Sequence, residues 1–300
     1  MRIAAVSDIH VASDGSDEKL LEEIRKRIED LSPDVFILAG DVSDNIEILS
    51  HTLSSLKVND CASLYVPGNH DIWFEKEKGL SSLEKYSEVI GAVCNKTGFV
   101  FLPDEPTIFS NIAFVGSIGW YDYSFQSDEF DIPEECFENK EFKGNIWYDV
   151  FSVDWEFSDQ EATDLFNQKL QYDLSTFPQD IEKVVYVSHH LPFREMTLYK
   201  HFLPWDFFSA FMGSSSTGKI LLDDDRVVLA IAGHSHIRKI TRIGDITAMT
   251  VPIGYGRPED NDCKSFVESA IAFIEIGEEV EILKFVEGDI CEGLPYLSFR

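Results

Sequence analysis

The chain has 300 residues, and its 25 lysines and arginines against 54 aspartates and glutamates give a formal net charge of −29. Hydrophobic residues make up 44% of the chain and aromatic residues 13%. This composition excludes an acidic disordered protein and is typical of a large folded core under an acidic surface. Because a negative surface repels phosphate backbones and anionic lipids, neither duplex nucleic acid nor a membrane is an expected partner.

The sequence also predicts the compartment. Its longest apolar run, residues 227–232, is far shorter than the roughly 18 residues needed to cross a bilayer. The first residues are apolar over too short a stretch for a signal peptide. The five cysteines are odd in number and widely spaced, which suggests neither a disulfide framework nor a thiolate metal site. We therefore expect a cytoplasmic protein.

Short apolar runs that end in Asp, Gly or His recur along the chain, and we interpret them as buried strands. They cover residues 3–6, 35–39, 64–66, 112–115, 184–187 and 227–232. Helical patterns over 18–31 and 45–56 separate the first three runs, with Asp17 and Asp44 as predicted N-caps. This alternation of strands and helices predicts an α/β protein with a parallel sheet.

Residues 120–165 differ in composition from the rest of the chain. They include fourteen acidic residues, two lysines and twelve aromatic residues, for a net charge of −12. One interpretation is a cap whose aromatic side chains pack on the main body. The other is a lid that shapes a substrate pocket, and the two are compatible. We predict one domain over 1–300 that carries this segment as an insertion.

The last part of the chain has the pattern of strands joined by tight turns. Strands are predicted over 238–243 and 246–251, and again over 270–276 and 280–285. We expect these strands to form an antiparallel run of hairpins.

Six of the eight histidines lie in four short clusters, each at the C-terminal end of an apolar strand. Side chains from such strand ends can meet at one edge of a sheet, so we expect a single site. The clusters are Asp8-Ile9-His10, Gly68-Asn69-His70-Asp71, Ser188-His189-His190-Leu191-Pro192 and Gly233-His234-Ser235-His236, and Gly40-Asp41 is a fifth polar strand end.

Apart from Asp71, these clusters offer two carboxylates, an amide oxygen and four or more imidazoles. Asp-x-His and His-x-His also place two such side chains on one face of an extended segment. The donors are too many for one metal ion and suit two ions that share a bridging carboxylate. Oxygen and nitrogen donors without thiolate favour manganese, iron, zinc or nickel. A lone histidine is more often structural, so the prediction depends on all five clusters together.

In this order the five clusters resemble the signature of the calcineurin-like metallophosphoesterases, and they span residues 8–236. The resemblance implies a four-layer α/β/β/α sandwich of two mixed sheets flanked by helices. It also implies a dinuclear metal centre on the rim between the sheets.

The resemblance assigns a role to individual residues by their position in the motifs. Asp8, His10 and His236 would hold one metal ion, and Asn69, His189 and His234 the other. Asp41 would bridge the two ions, and His70 would be a catalytic histidine that is not a ligand. His189 is chosen over His190 because the family usually ligates through the histidine three residues before the proline, here Pro192. Leu191 stands where many members have a first proline. Asp71, the last residue of its cluster, either orients the neighbouring residues or caps a turn.

The expected function is metal-dependent hydrolysis of a small phosphomonoester or phosphodiester. Two ions roughly 3.5–4 Å apart would activate a bridging hydroxide for in-line attack on phosphorus. His70 would protonate the leaving oxygen or stabilise its charge. The motifs do not separate a phosphatase from a phosphodiesterase. Two alternatives stay open: a nuclease, which the charge disfavours, and a non-catalytic metal-binding scaffold of the same fold.

Two further features need an interpretation. Residues 213–219 have the spacing of a phosphate-binding loop, but Ile220 stands where that loop needs Ser or Thr. We interpret them as a loop with an N-cap for a helix over 219–222. Residues 188–257 hold eight basic and six acidic residues, so Arg194 or Arg257 could meet a substrate anion.

Overall fold

The computed structural model describes residues 1–254, 256–258 and 262–289. Cys291, one of the five cysteines, lies outside this range. The described strands are β1 (Arg2–Val6), β2 (Val35–Ala39), β3 (Ala62–Val66), β4 (Val100–Phe101), β5 (Thr107–Phe109), β6 (Ile112–Ser117), β7 (Glu141–Phe142), β8 (Asn145–Ile146), β9 (Lys183–Ser188), β10 (Val227–Ala232), β11 (Ile237–Arg238), β12 (Ile240–Ile243), β13 (Ile246–Thr250), β14 (Ala272–Ile276), β15 (Val280–Lys284) and β16 (Gly288–Asp289).

The described α-helices are α1 (Glu18–Leu31), α2 (Ile46–Leu56), α3 (Asn69–Ile72), α4 (Ser82–Glu84), α5 (Ile90–Thr97), α6 (Glu134–Glu138), α7 (Asp149–Ser152), α8 (Asp159–Thr176), α9 (Trp205–Phe208), α10 (Ser215–Leu222) and α11 (Cys263–Ala270). A π-helical turn over Lys85–Val89 joins α4 to α5. Across the described part of the chain, the helices are too short or too polar to cross a membrane.

Two mixed six-stranded sheets form the centre of the fold. The first has the order β15-β14-β1-β2-β3-β4, in which β1 to β4 run parallel. Strand β14 pairs antiparallel with β1, and β15 pairs antiparallel with β14. The second has the order β12-β13-β10-β9-β6-β5, in which β13, β10, β9 and β6 run parallel. The predicted parallel pairing of the first three strands is therefore confirmed.

The sheets pack face to face, and helices cover both outer faces. Strand side chains alternate: Ile3 and Ala5 of β1 enter the core between the sheets, whereas Ala4 and Val6 enter the core under the helices. Burial on both faces explains why these strands are almost uniformly apolar. On α1, buried Leu20, Leu21, Ile24 and Ile28 recur at helical spacing and face the first sheet. The predicted α/β/β/α sandwich is confirmed.

Local signals placed the elements more accurately than their caps. Helix α1 has the predicted bounds and Asp17 is its N-cap residue, as predicted, but the Asp17 carboxylate accepts a hydrogen bond from Ala12 N and makes no cap bond to the helix. Helix α2 is capped by Asn45, whose Oδ1 accepts from Glu47 N at 2.9 Å, so the predicted cap at Asp44 is wrong by one residue. Both residue types suit an N-cap, and only the backbone turn decides between neighbours.

The prediction of one antiparallel run at the end of the chain is wrong. Each hairpin forms locally, as β12 with β13 and as β14 with β15. However, β13 continues the second sheet parallel to β10, while β14 joins the first sheet beside β1. Local turn signals predict a hairpin but do not determine which sheet its strands extend.

Candidate metal centre and adjoining cavity

The seven predicted metal-binding side chains all follow strand ends on the rim between the two sheets. Six of them, all except Asn69, form two groups in which one donor atom of each residue lies within 4.8 Å of the others. The first group is Asp8, His10, Asp41 and His236, and the second is Asp41, His189 and His234.

Asp8, His10 and His236 lie close together although His10 and His236 are 226 positions apart in the sequence. His236 Nε2 lies 3.2 Å from Asp8 Oδ1 and 3.1 Å from His10 Nε2. His10 Nε2 in turn lies 3.6 Å from Asp41 Oδ2. The other Asp8 oxygen accepts a 2.5 Å hydrogen bond from Ser7 Oγ, which fixes the carboxylate.

Asp41 also belongs to the second group. Its Oδ2 lies 3.3 Å from His189 Nε2, and that nitrogen lies 3.2 Å from His234 Nδ1. Asn69 borders the same space, and its buried Oδ1 has no hydrogen-bond partner within the described residues. A buried amide oxygen without a partner is costly unless a cation or donor fills the position beside it.

Backbone carbonyls orient the imidazoles of the second group. His189 Nδ1 donates to Ala39 O at 2.9 Å, which leaves Nε2 directed at Asp41. His234 Nε2 donates to Phe211 O at 3.1 Å, which leaves Nδ1 directed at His189. Metal-binding histidines are commonly fixed in this way, with the non-ligand nitrogen bonded to a carbonyl. Convergent imidazole nitrogens and carboxylate oxygens are the donors that such metal ions take, so the residues present fit metal ions of the predicted type.

Burial and neighbouring charges determine the protonation of the cluster. Burial, together with nearby imidazoles, lowers the pKa of His234 well below its usual value. Burial would also lower the pKa of His189, but the adjacent Asp41 carboxylate raises it to about 9. For Asp41 itself, burial opposes ionisation, yet the surrounding histidines hold its pKa well below the usual range. Asp41 is thus the fixed negative charge at the centre of the cluster.

Five of the predicted ligands adopt a left-handed backbone. Values of φ between 47° and 69° are rare for residues with a Cβ and cost energy. Because five such residues lie at one site, the surrounding fold must hold their backbone in this unfavourable conformation. The five are Asp8, His10, Asp41, His234 and His236.

Two glycines let the ends of β2 and β3 approach each other. Gly40 has φ of +85°, and a Cβ there would lie 2.6 Å from Gly68 N. A Cβ on Gly68 would lie 2.1 Å from Asp41 Oδ1. The close approach places Asp41 beside the start of α3, where Asn69 begins the helix.

Asp71 holds the loop that carries Asp41. Its carboxylate accepts hydrogen bonds of 2.7–2.9 Å from the backbone nitrogens of Asp41, Val42, Ser43 and Gly68. This arrangement joins the Gly40-Asp41 and Gly68-Asn69 strand ends. Of the two interpretations of Asp71 from sequence, the contacts therefore favour a partner that orients its neighbours.

His70 lies at the edge of the cluster and belongs to neither group described above. Its Nε2 is 3.9 Å from Asp41 Oδ2, and its side chain is 25% exposed. Its ring stacks on Trp73 with centroids 3.8 Å apart. This position suits the predicted catalytic role, which stays a prediction.

His190 lies behind the cluster. Its ring packs near Trp120, Tyr121 and His234, and its Nδ1 donates to Ile118 O at 3.2 Å. Burial lowers its pKa to about 3, so the ring is neutral. His190 packs against a predicted ligand and is not itself a member of the described groups.

Sequence reasoning missed Asp149, a buried residue of the 120–165 insertion. Its Oδ1 accepts from Asn69 Nδ2 at 2.9 Å and from Trp73 Nε1 at 2.8 Å. Its Oδ2 accepts from Tyr121 Oη at 3.0 Å and from Trp147 Nε1 at 2.8 Å. Asp149 thus fixes the amide of Asn69 so that Oδ1 is the free atom. Its position between aromatic residues offered the only sequence signal, and Asn69 is 80 residues away.

A cavity of about 530 Å³ adjoins the cluster. Asp41, Asn69, His70, His234 and His236 form one wall. The insertion contributes part of the rest through Ile146, Trp147, Tyr148 and Asp149. Other aromatic residues of the insertion are buried in the body of the protein, including Trp120, Tyr121 and Phe125. Residues 120–165 therefore pack partly into the body of the protein and partly along the cavity, and their role as a cap or lid stays a prediction.

The two arginines considered from sequence lie outside the described cavity lining. Arg194 contacts Asp128, Gln126 O and Tyr199. Arg257 pairs with Asp17 and donates to the carbonyls of Ile9 and His10, so it supports the β1 strand end. Both guanidinium groups are thus hydrogen-bonded away from the cavity.

The loop at 213–219 also differs from its predicted form. Helix α10 begins at Ser215, earlier than the predicted 219, because Ser214 Oγ accepts from Ser216 N and caps it. Gly213 pairs with Leu191 in an isolated bridge beside the His189 loop.

Comparison with known proteins agrees with this fold. The chain is 19% identical to the phosphopantetheinyl hydrolase PptH of Mycobacterium tuberculosis, with a TM-score of 0.65 over 84% of this chain and 89% of that one. It is 15% identical to a dimetal phosphatase from Danio rerio, with a TM-score of 0.55 over 95% and 99% of the two chains. At these identities the likeness shows a shared fold.

Sequence comparison with curated proteins gives no match. The profile of the calcineurin-like phosphoesterases, in contrast, matches residues 1–238, which is more than half of the chain and includes all seven predicted ligands. The chain therefore belongs to the calcineurin-like phosphoesterase family.

Proposed function

We propose that the protein hydrolyses small phosphoric esters with the help of two metal ions. The observation that carries the proposal is the pair of donor groups that share Asp41. Asp8, His10 and His236 are proposed for one ion, and Asn69, His189 and His234 for the other. When bound, such ions polarise the phosphoryl group and lower the pKa of a water molecule.

Other residues would orient the metal-binding side chains and protonate the leaving oxygen. Asp71 fixes the Asp41 loop, and Asp149 fixes the Asn69 amide. His70 is proposed to give a proton to the leaving oxygen, a role worth about 10²–10⁴-fold for a positioned acid. In the reaction the bond from phosphorus to the alcohol oxygen breaks, and a bond from phosphorus to a water oxygen forms. One proton of that water ends on the alcohol in the balanced reaction.

The names of the two similar structures, a hydrolase and a dimetal phosphatase, agree with this proposal. A small phosphomonoester is the substrate we favour, with a small phosphodiester as the alternative within the same chemistry. The acidic surface disfavours a nuclease because the net charge of −29 repels a polyphosphate chain.

Metal analysis and hydrolysis assays test the proposal. Protein loaded with manganese, iron, zinc or nickel should hold two ions per chain. It should hydrolyse p-nitrophenyl phosphate, bis-p-nitrophenyl phosphate or both. Two bound ions without hydrolysis of any phosphoester would instead favour a metal-binding scaffold.

The role of His70 has a sharper test. Since p-nitrophenolate leaves readily without a proton, His70→Ala should reduce turnover of phenyl phosphate more than that of p-nitrophenyl phosphate. Metal content should not change. His51→Ala is the matched control, because His51 is an exposed histidine on α2 that pairs with Glu18. Loss of metal in His70→Ala would contradict the proposed division of roles.

A further inference from the structure

We propose that the cavity beside the cluster of predicted ligands binds a large aromatic or apolar alcohol portion of the substrate that carries no negative charge. This inference rests on the proposed function and deepens it by naming the substrate class. The cavity of about 530 Å³ is much larger than a phosphate group requires and is in the size range of small-molecule sites. Its wall of predicted ligands is where the phosphoryl group would bind, so the remaining volume accommodates the organic portion.

Aromatic side chains from three separate parts of the chain surround that remaining volume. Trp73 follows α3, Trp147 and Tyr148 belong to the insertion, and Trp205 and Phe208 lie on α9. Rings from distant segments that meet around one cavity provide stacking and dispersion contacts for a flat or apolar group.

The indole nitrogens of this wall are already satisfied within the protein. Trp73 Nε1 and Trp147 Nε1 each donate to Asp149 at 2.8 Å, and Trp205 Nε1 donates to Leu198 O at 2.8 Å. These bonds fix the orientation of the rings and use their polar atoms. The tryptophans therefore offer the ligand apolar ring surface and no indole donor.

Charge complementarity restricts the ligand further. The cavity lining that the structure describes contains neither lysine nor arginine. A carboxylate or second phosphate buried there would lack a partner, and an unpaired buried charge is strongly unfavourable. The organic portion of the substrate accordingly carries no negative charge.

The position of His70 shows which part of the ester enters the cavity. Its ring stacks on Trp73 of the aromatic wall and lies 3.9 Å from the Asp41 carboxylate. The proposed proton donor is thus at the boundary between the cluster and the aromatic wall. The leaving oxygen lies beside His70, so the alcohol it carries occupies the aromatic volume.

The experiment compares phenyl phosphate with 1-naphthyl phosphate on the metal-loaded full chain. The two esters have the same charge and similar leaving groups but differ by one ring. We expect kcat/KM to favour 1-naphthyl phosphate by about tenfold. Phe208→Ala and Trp205→Ala should reduce that preference to about threefold or less, and Tyr172→Ala, an exposed aromatic residue of α8, should preserve it. Hydrolysis of both esters with equal efficiency, unchanged by either cavity variant, would overturn the inference and leave the hydrolase proposal in place.

Calorimetric binding of 1-naphthol tests the cavity without turnover. We expect binding to the loaded wild-type chain and at least fivefold weaker binding to Phe208→Ala. Failure of the metal-loaded chain to hydrolyse any phosphoester would contradict the proposed function, whereas absence of 1-naphthol binding would contradict the cavity assignment alone.

Discussion

Replacement of Asp149 by alanine tests whether the insertion helps to build the metal centre. The change removes the acceptor for four donors: Asn69 Nδ2, Trp73 Nε1, Trp147 Nε1 and Tyr121 Oη. A net contribution of roughly 1.5–3 kcal/mol is typical for a hydrogen bond to a charged group, and unsatisfied buried donors add to the cost. Because the contributions of neighbouring groups do not add, we expect a destabilisation of about 3–5 kcal/mol rather than the full sum.

The same variant should weaken metal binding, since Asn69 loses the contact that directs its Oδ1 into the site. Loss of a residue that orients a metal ligand typically costs 10–100-fold in affinity. Asp149→Asn should affect metal binding less, because its amide can keep its oxygen toward Asn69 and Trp73. Its NH2 then faces the Tyr121 hydroxyl and leaves Trp147 Nε1 without an acceptor, so part of the stability loss remains. Titration of metal-stripped protein with Mn²⁺ or Zn²⁺ by calorimetry measures the affinity, and thermal unfolding measures the stability.

Asp159 provides a matched control in the same insertion. It is similarly buried and accepts hydrogen bonds from Trp120 Nε1, Tyr123 Oη and Lys140 Nζ, but it does not contact Asn69. Asp159→Ala should lower the melting temperature to a similar extent and leave metal affinity within about twofold. Wild-type metal affinity in Asp149→Ala would refute the reasoning, whatever the loss of stability.

Three other predictions concern metal, pH and backbone packing. Mn²⁺ at 100 times its Kd should stabilise the stripped protein by about 2.7 kcal/mol, or roughly 5 °C in Tm, and an unchanged Tm would contradict the metal site. Without metal, stability should be greatest near pH 6.5, the usual histidine pKa. Below pH 6.5 the unfolded chain binds a proton at His234 that the folded protein does not, because burial lowers the pKa of His234, so stability falls as pH falls. Above pH 6.5 the stabilisation from the raised pKa of His189 is lost as pH approaches 9. A Tm of stripped protein that rises steadily to pH 9 would show this sign to be wrong. Gly68→Ala should cost about 1–3 kcal/mol and weaken metal binding because its Cβ collides with Asp41, whereas Gly277→Ala, which meets open space, should do neither.

The sequence predicted that the candidate ligands lie together because these residues follow apolar strands. In a parallel sheet, a run such as Val35–Ala39 fixes where the next polar residue lies, so Asp41 could be placed near Asp8 without knowledge of other contacts. The resemblance to a known family then distinguished His189 from His190. The structure adds the carbonyl contacts that direct the His189 and His234 nitrogens.

Contacts between distant polar residues could not be predicted. Nothing in the acidic insertion distinguishes Asp149 from Asp154 or Asp159 until the chain is folded, since each is one carboxylate among aromatic residues. The sheet to which each C-terminal hairpin belongs was likewise hidden, because a tight turn encodes the pairing of its own two strands only. The sequence therefore predicted the elements and the meeting of the parallel strand ends, but not the contacts of Asp149 or the sheet that each hairpin joins.

Both predicted metal groups take donors from both sheets. Asp8, His10 and Asp41 follow strands of the first sheet, whereas His189, His234 and His236 follow strands of the second. The backbone already joins the sheets here, since Ser7 N donates to Val251 O and Ile253 N donates to Ser7 O. A bound ion in either group would thus act as a cross-link between the two halves of the sandwich. Removal of the ion should therefore accelerate hydrogen exchange of the backbone amides at the strand ends of both sheets together.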